Sequence, residues 1–356
     1  MRGQDQGTAR MAADSGGRKT GRGRFWRRPA VSRALKIGIS GLLFAFILWK
    51  ADLAQVVHQF GKFKLEHALW GTALFALSNI VGAYQWDLLL KGQGIRLPLR
   101  KVMSFYFVGL YFSNFLPANL GGDVIRVYDV HRSAGNTEGA VAATFFDRLF
   151  GLVALAILAV LAALSSLSVL QNEVVMASGL GLAAVLAIVL CVTFNRSLAR
   201  QADRALRPLG LKSIRTRLKA IYESAYAYRS QPKLLWAVTG IAIVVQILRV
   251  LVHYEVAVAL GIDIPMRYYF LFIPVIAILI ALPVSINGIG VRENAGVFFF
   301  RQVGVTAPEA FSMGFLAYVV GVVVSLVGGV LFLVRGRVER EKVMEVKGLG
   351  EPSRQM

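Results

Sequence analysis

Two stretches of this chain share residue types and spacing suited to holding a negatively charged group. Residues 116–126 read LPANLGGDVIR, and residues 282–292 read LPVSINGIGVR. In each, a glycine stands five places after the proline (Gly122, Gly288) and an arginine nine places after it (Arg126, Arg292). Pro117 and Pro283 lack a backbone donor and clash with the preceding turn, so a helix that reaches either one stops there. Gly121, Gly122, Gly288 and Gly290 then permit a tight reversal and close approach by another backbone. A helix that restarts at such a point leaves its first N–H groups bare and its positive dipole end at the tip. With an arginine about one turn inside, the combination suits phosphate or carboxylate. Asn119, Ser285 and Asn287 add neutral hydrogen bonds. Asp123 and Glu293 either pair with an arginine or receive a proton or cation.

Three further polar residues, Gln246, Arg249 and His253, follow i, i+3, i+7 spacing and share one helix face. Arg249 lies near the middle of an apolar run, where a charge is costly and faces a cavity or a partner. That face is expected to line a substrate path, with a structural ion pair as the alternative. Asp147 and Arg148 are adjacent, so they point ~100° apart on a helix and do not pair with each other. Their expected role is structural, at the membrane interface. Asn79 is read as a helix–helix hydrogen bond.

These residues sit in a chain of 356 residues that is 56% apolar. Apolar windows lie at 36–50, 67–90, 101–117, 139–164, 174–194, 234–260, 268–284, 289–300 and 309–334. Several exceed the ~20 residues that cross ~30 Å of hydrocarbon, and the rest fall short. The solvent is therefore a bilayer. The net charge of +20 is confined to blocks beside the apolar runs, with ten Lys/Arg in residues 1–36 and ten in 195–233. Basic blocks of this kind mark the cytoplasmic side and its anionic lipids rather than a nucleic-acid partner. Cys191 is the single cysteine, and His58, His67, His131 and His253 show no paired ligand spacing. No metal and no cofactor are expected.

The basic blocks also decide the topology. If every window crossed the membrane, 195–233 would lie outside, against the positive-inside tendency. If 101–133 and 268–303 each enter and leave on one side, every basic block falls inside. The fold expected is an all-α polytopic membrane protein. It has about six full crossings (36–50, 67–90, 139–164, 174–194, 234–260, 309–334) and two re-entrant helical hairpins. Grouped as span, span, hairpin, span, the halves 34–165 and 171–335 become inverted copies, the arrangement of alternating-access transporters. Residues 1–33 read as a basic, disordered cytoplasmic tail, 34–335 as one membrane domain and 336–356 as a second cytoplasmic tail. Residues 195–233 read either as a surface amphipathic helix or as a solvated basic linker.

With NFLPANLGGDVIRVYDV (114–130), FFDRLFGL (145–152) and LPVSINGIGVRE (282–293), the chain resembles the flippase-like family. That family is also described as the lysylphosphatidylglycerol synthase transmembrane domain family, and the resemblance covers roughly residues 35–335. It implies a bacterial inner-membrane protein, multi-pass with both termini cytoplasmic, of the kind that moves lipids between leaflets. In bifunctional relatives this domain precedes a soluble aminoacyltransferase domain. The sequence continues only about 20 residues past its last span, so no such domain or synthase activity is expected.

The reading is a lipid flippase-like transporter that binds an anionic headgroup at the two hairpin tips, through Arg126, Arg292 and Arg249. A lipid-synthesis enzyme or a second copy of the chain is a possible partner. No GxxxxGK[ST] loop is present, so ATP hydrolysis by this chain is not expected. The alternatives are a membrane enzyme or an accessory subunit in glycolipid or envelope-lipid synthesis. Asp123, His131, Asp147, His253 and Glu293 offer acids and bases, but no nucleophile–base pair stands at diagnostic spacing.

Overall fold

The structure is a computed structural model that describes residues 63–115, 121–164, 222–224, 226–281 and 290–348. All its regular elements among these residues are helices. They are α1 (Leu65–Gly92), α2 (Leu99–Phe115), α3 (Gly121–Ala134), α4 (Thr137–Leu164), α5 (Pro232–Ala259), α6 (Met266–Ala281), α7 (Val291–Phe300) and α8 (Ala307–Gly348). Short 3-10 turns at Tyr228–Ser230 and Arg301–Val303 precede α5 and follow α7.

Local chemistry sets the boundaries. Asn136 caps α4 by accepting the Gly139 N–H at 2.8 Å, directly after Gly135 has turned left-handed (φ 70°) to end α3. Pro232 opens α5, where its missing N–H costs nothing. Thr306 and Glu309 exchange capping bonds ahead of α8, with Glu309 Oε2 accepting from the Thr306 N–H at 2.9 Å.

Four helices are long and apolar enough to cross a membrane: Leu65–Gly92, Thr137–Ala162, Pro232–Ala259 and Ala307–Arg335. They match four of the six crossings read from the sequence. The other two, 36–50 and 174–194, lie outside the described residues, as does most of 195–233. Helix α8 does not stop at its apolar limit but continues to Gly348, into the segment expected to be a tail. The arms α2, α3, α6 and α7 have 17, 14, 16 and 10 residues. At 1.5 Å per residue each is shorter than the ~30 Å hydrocarbon layer.

The centre of the bundle is the pair α1 and α5, which run antiparallel. The Lys64 N–H at the start of α1 donates to the Ala259 carbonyl at the end of α5 (2.8 Å). At the other end, Gln231 Nε2 donates to the Gly92 carbonyl (3.0 Å) and the buried Tyr228 hydroxyl to that of Leu89 (2.6 Å). Burial raises the Tyr228 phenol above its ordinary range, so the hydroxyl stays a donor to α1's last turn.

Around this pair the packing is reciprocal. Helix α2 lies along α3 and on α8, and α6 lies along α7 and on α4. Contacts α1–α2, α1–α4, α1–α8 and α3–α4 recur as α5–α6, α5–α8, α5–α4 and α7–α8. Two apolar cores follow. One joins Trp86, Leu89, Val102, Phe146 and Phe150, the other Val256, Tyr269, Phe272, Phe300 and Val320. At the bundle's flank, Arg335 of α8 bonds Asp129 of α3 (3.1 Å) and the Ser104 carbonyl of α2 (3.2 Å).

Candidate functional site

The first arginine motif forms a closed charge network where α3 meets α4. Helix α3 begins at Gly121, and Gly122 sits against α2. A Cβ there would collide with the Gly109 carbonyl oxygen and Ser113 Oγ, so only glycine permits this backbone approach. Asp123 and Arg126, one turn apart, pair at 2.5 Å. Arg126 also donates through Nη1 to Asp147 Oδ2 (3.1 Å), whose other oxygen accepts from Gln85 Nε2 (3.0 Å). Arg148 Nε and Nη2 reach Asp123 at 3.0 and 3.2 Å. As the sequence implies, Asp147 and Arg148 do not bond each other. Both instead cross to α3, and the two carboxylates balance two guanidiniums.

The Arg126 guanidinium is stacked between aromatic rings, 5.1 Å from Trp86 and 4.8 Å from Tyr106. Trp86 is held in turn by its Nε1–H bond to Thr144 Oγ1 (3.2 Å). The Arg126 side chain is 6% exposed and that of Arg148 is 54% exposed. Arg126 is thus committed on every side, although the sequence placed it among ligand groups. Truncating one partner of such a buried set leaves an uncompensated charge, which costs more than the pair itself contributes.

The second motif is built differently. Gly290 adopts φ 84°, and its N–H is accepted at 2.7 Å by Glu293 Oε2, which caps α7. Glu293 Oε1 accepts from Arg292 Nε (3.1 Å), and the Arg292 guanidinium lies 4.7 Å from the Tyr318 ring. Arg292 is within electrostatic reach of His253 on α5. His253 donates Nδ1–H to the Arg249 carbonyl (2.9 Å), which leaves Nε2 free of that bond.

Arg249 is the outlier. Its Nε is buried with no hydrogen-bond partner among the described residues, and its side chain forms no ion pair among them. Within an apolar span an uncompensated arginine costs ~2.5–3.5 kcal/mol by insertion measurements. It lies within electrostatic reach of Tyr106, the ring on which the Arg126 guanidinium packs. Among the described residues no three His, Cys, Asp or Glu side chains are placed to hold a metal ion.

The model of the lysylphosphatidylglycerol synthase TM region matches residues 33–329. This chain belongs to that family. It is similar also to the UPF0104 membrane protein PH1989 of Pyrococcus horikoshii, at 23% identity over 166 residues. That alignment takes in 46% of this chain and spans about half (49%) of the relative's length. The chain is accordingly a multi-pass membrane protein whose family is described by the membrane part of a lipid-modifying synthase.

Of the residues singled out from sequence, the structure brings Asp123, Arg126, Asp147 and Arg148 into one network and Arg292 and Glu293 into a second. Gly121 and Gly122 stand at the start of α3, and Gly290 stands directly before α7. Pro117, Asn119, Pro283, Ser285, Asn287 and Gly288 lie outside the described residues. The shared face of Gln246, Arg249 and His253 spreads over three neighbours, since Gln246 Nε2 donates to the Gly151 carbonyl of α4 (3.4 Å). Asn79 does not bridge helices. Its amide donates to the Phe75 carbonyl of its own helix (2.8 Å), and its Oδ1 is buried without a partner among the described residues.

Sequence reasoning missed Trp86, Tyr106, Gln85 and Tyr318. One signal was available for Trp86. Helices α1 and α5 both have 28 residues. Laid start to start they match Asn79 with Gln246, Gly82 with Arg249, and Trp86 with His253. Trp86 packs on Arg126, and His253 is within electrostatic reach of Arg292.

Proposed function

We propose that this protein moves a lipid with an anionic headgroup between the two leaflets of the bacterial inner membrane. The observation that carries the reading is the reciprocal packing of two four-helix sets about an antiparallel α1–α5 pair. Such packing supports an inverted repeat, in which α2–α3 and α6–α7 are re-entrant hairpins entering from opposite faces. The inner ends of these helices then meet at mid-depth, where a break in a helix is tolerated only if it lines a cavity or is buried in protein. The headgroup lodges beside Arg249 and Arg292 while its acyl chains stay in lipid. Movement of the shorter helices α2, α3, α6 and α7 about the tied α1–α5 pair exposes the headgroup to each side in turn. Both termini and residues 195–233 are cytoplasmic in this arrangement.

Reconstitution tests the activity. The purified chain in phosphatidylcholine vesicles should let an inner-leaflet fluorescent phosphatidylglycerol reach membrane-impermeant dithionite. Arg292→Ala should lower that rate at least tenfold while the protein remains inserted and folded. No leaflet exchange by the wild type, or equal rates in both proteins, would end the reading.

Orientation has its own measurement. In a Cys191→Ser background, Lys212→Cys should react with an impermeant maleimide only from the cytoplasmic side, and Gln171→Cys only from the outer side. The reverse pattern would discard the topology.

A further inference from the structure

We infer that the anion site lies in one half only and takes a single negative charge, with Arg249 as its anchor. The inference rests on the transport reading for its location and goes beyond it in stoichiometry, charge and residue assignment.

The halves are related helix by helix, yet their electrostatics are not. Four guanidiniums and three carboxylates gather around the tips: Arg126, Arg148, Arg249 and Arg292 against Asp123, Asp147 and Glu293. Six of these seven are paired, whereas Arg249 has its Nε buried without a hydrogen-bond partner and forms no ion pair among the described residues. Among those residues one positive charge is left over.

Among the aligned positions of α1 and α5 at which the halves differ, one decides the charge. Where α5 carries Arg249, α1 carries Gly82, and the gap is taken up by Tyr106. A Cβ on Gly82 would lie 2.7 Å from the Tyr106 hydroxyl. The first half therefore has no room for an equivalent cation, and its own arginine at the tip is closed off by two carboxylates and two rings. In the second half, Glu293 is the one counter-charge of Arg292 among the described residues, the guanidinium leans on Tyr318, and His253, which bonds the Arg249 carbonyl, is within its electrostatic reach. A ligand there meets one unneutralised guanidinium and a second that is only singly compensated. The matching chemistry is a monoanionic oxyanion group, from a phosphodiester headgroup or from free dihydrogen phosphate. Arg126 does not touch it.

The test is equilibrium binding to the full-length, delipidated chain in phosphatidylcholine nanodiscs. Dioctanoyl phosphatidylglycerol should bind with one site per chain. Arg249→Gln should weaken binding at least tenfold, and Arg249→Lys should stay within about threefold of wild type. The charge-balanced double variant Arg126→Gln/Asp147→Asn should also bind within about threefold, as long as its melting profile shows a folded chain.

Inorganic phosphate at pH 6 separates the two sources. Competition at millimolar concentration identifies the free anion, and its failure to compete identifies the lipid headgroup. Either result supports the site if Arg249→Gln abolishes it. Two lipids bound per chain, unchanged affinity in folded Arg249→Gln, or lost binding in the folded double variant would each overturn the inference. Binding is read without any change of leaflet. A chain that binds once but never flips therefore refutes transport and leaves this assignment standing.

Discussion

Asp147→Asn is expected to destabilise the protein by about 3 kcal/mol or more, the usual cost of breaking a buried ion pair from one side. Asp147 Oδ2 accepts from Arg126 and Oδ1 from Gln85, and the side chain is 10% exposed. Asparagine keeps the shape, and rotation of the Gln85 amide preserves a hydrogen bond at Oδ1's position. What it removes is the charge. Arg126 then shares Asp123 with Arg148, so two guanidiniums compete for one carboxylate.

A double-mutant cycle isolates this effect. Arg126→Gln/Asp147→Asn removes a cation and an anion together and should melt closer to wild type than Asp147→Asn alone. Arg148→Gln should cost under ~1 kcal/mol, since that side chain is half exposed and its pairing is screened. The measurement is the thermal midpoint of each purified variant in detergent. Additive losses, with the double variant the least stable, would show that the four residues do not act as one network.

Gly328→Leu is expected to have the largest effect of any single substitution in α8. Built at Gly328, a Cβ would fall on the Phe107 carbonyl oxygen and carbon of α2 and within 3.1 Å of Tyr111 Cβ. The obstacle is backbone, which cannot rotate away. Helices in lipid associate through close packing rather than exclusion from water, so forcing α2 and α8 apart removes the contact instead of rearranging it. A leucine should lower folded yield severalfold and the melting midpoint by about 3 kcal/mol equivalent, as overpacking does at its upper end. The same helix supplies its own control. A Cβ at Gly314 meets nothing within 4 Å, so Gly314→Ala should be neutral or stabilising by up to ~1 kcal/mol. Equal behaviour of the two variants would mean that α2 and α8 do not pack at Gly328.

The four long helices were legible because hydrophobic length is read directly by the bilayer; the window 67–90 fell within α1 at Leu65–Gly92. The starts of α3 at Gly121 and of α7 just after Gly290 were legible for a different reason, since glycine acts on the backbone locally. The arrangement of charges was not. Spacing within one helix fixes which residues share a face, but the crossed pairs Asp123–Arg148 and Arg126–Asp147 depend on how α3 is rotated against α4.

Aromatic partners were harder still. In a soluble protein, periodicity separates a buried Trp86 from an exposed Trp236. In lipid both sides of a helix are apolar, so that periodicity fades, and Trp86 and Tyr106 look like membrane-facing rings until their neighbours are known. Arg249 was noticed as a mid-span charge, yet the sequence offered no means of telling a paired arginine from a lone one.

The fastenings at both ends of α1 and α5 have a mechanical consequence. With Lys64 tied to Ala259 at one end and Gln231 to Gly92 at the other, neither helix can slide along its mate without breaking a bond at each extremity. In the proposed transport cycle the pair would act as a spine, with displacement absorbed by the shorter helices packed on it. Labels on the spine would keep their separation throughout, while labels on α2 and α7 would not.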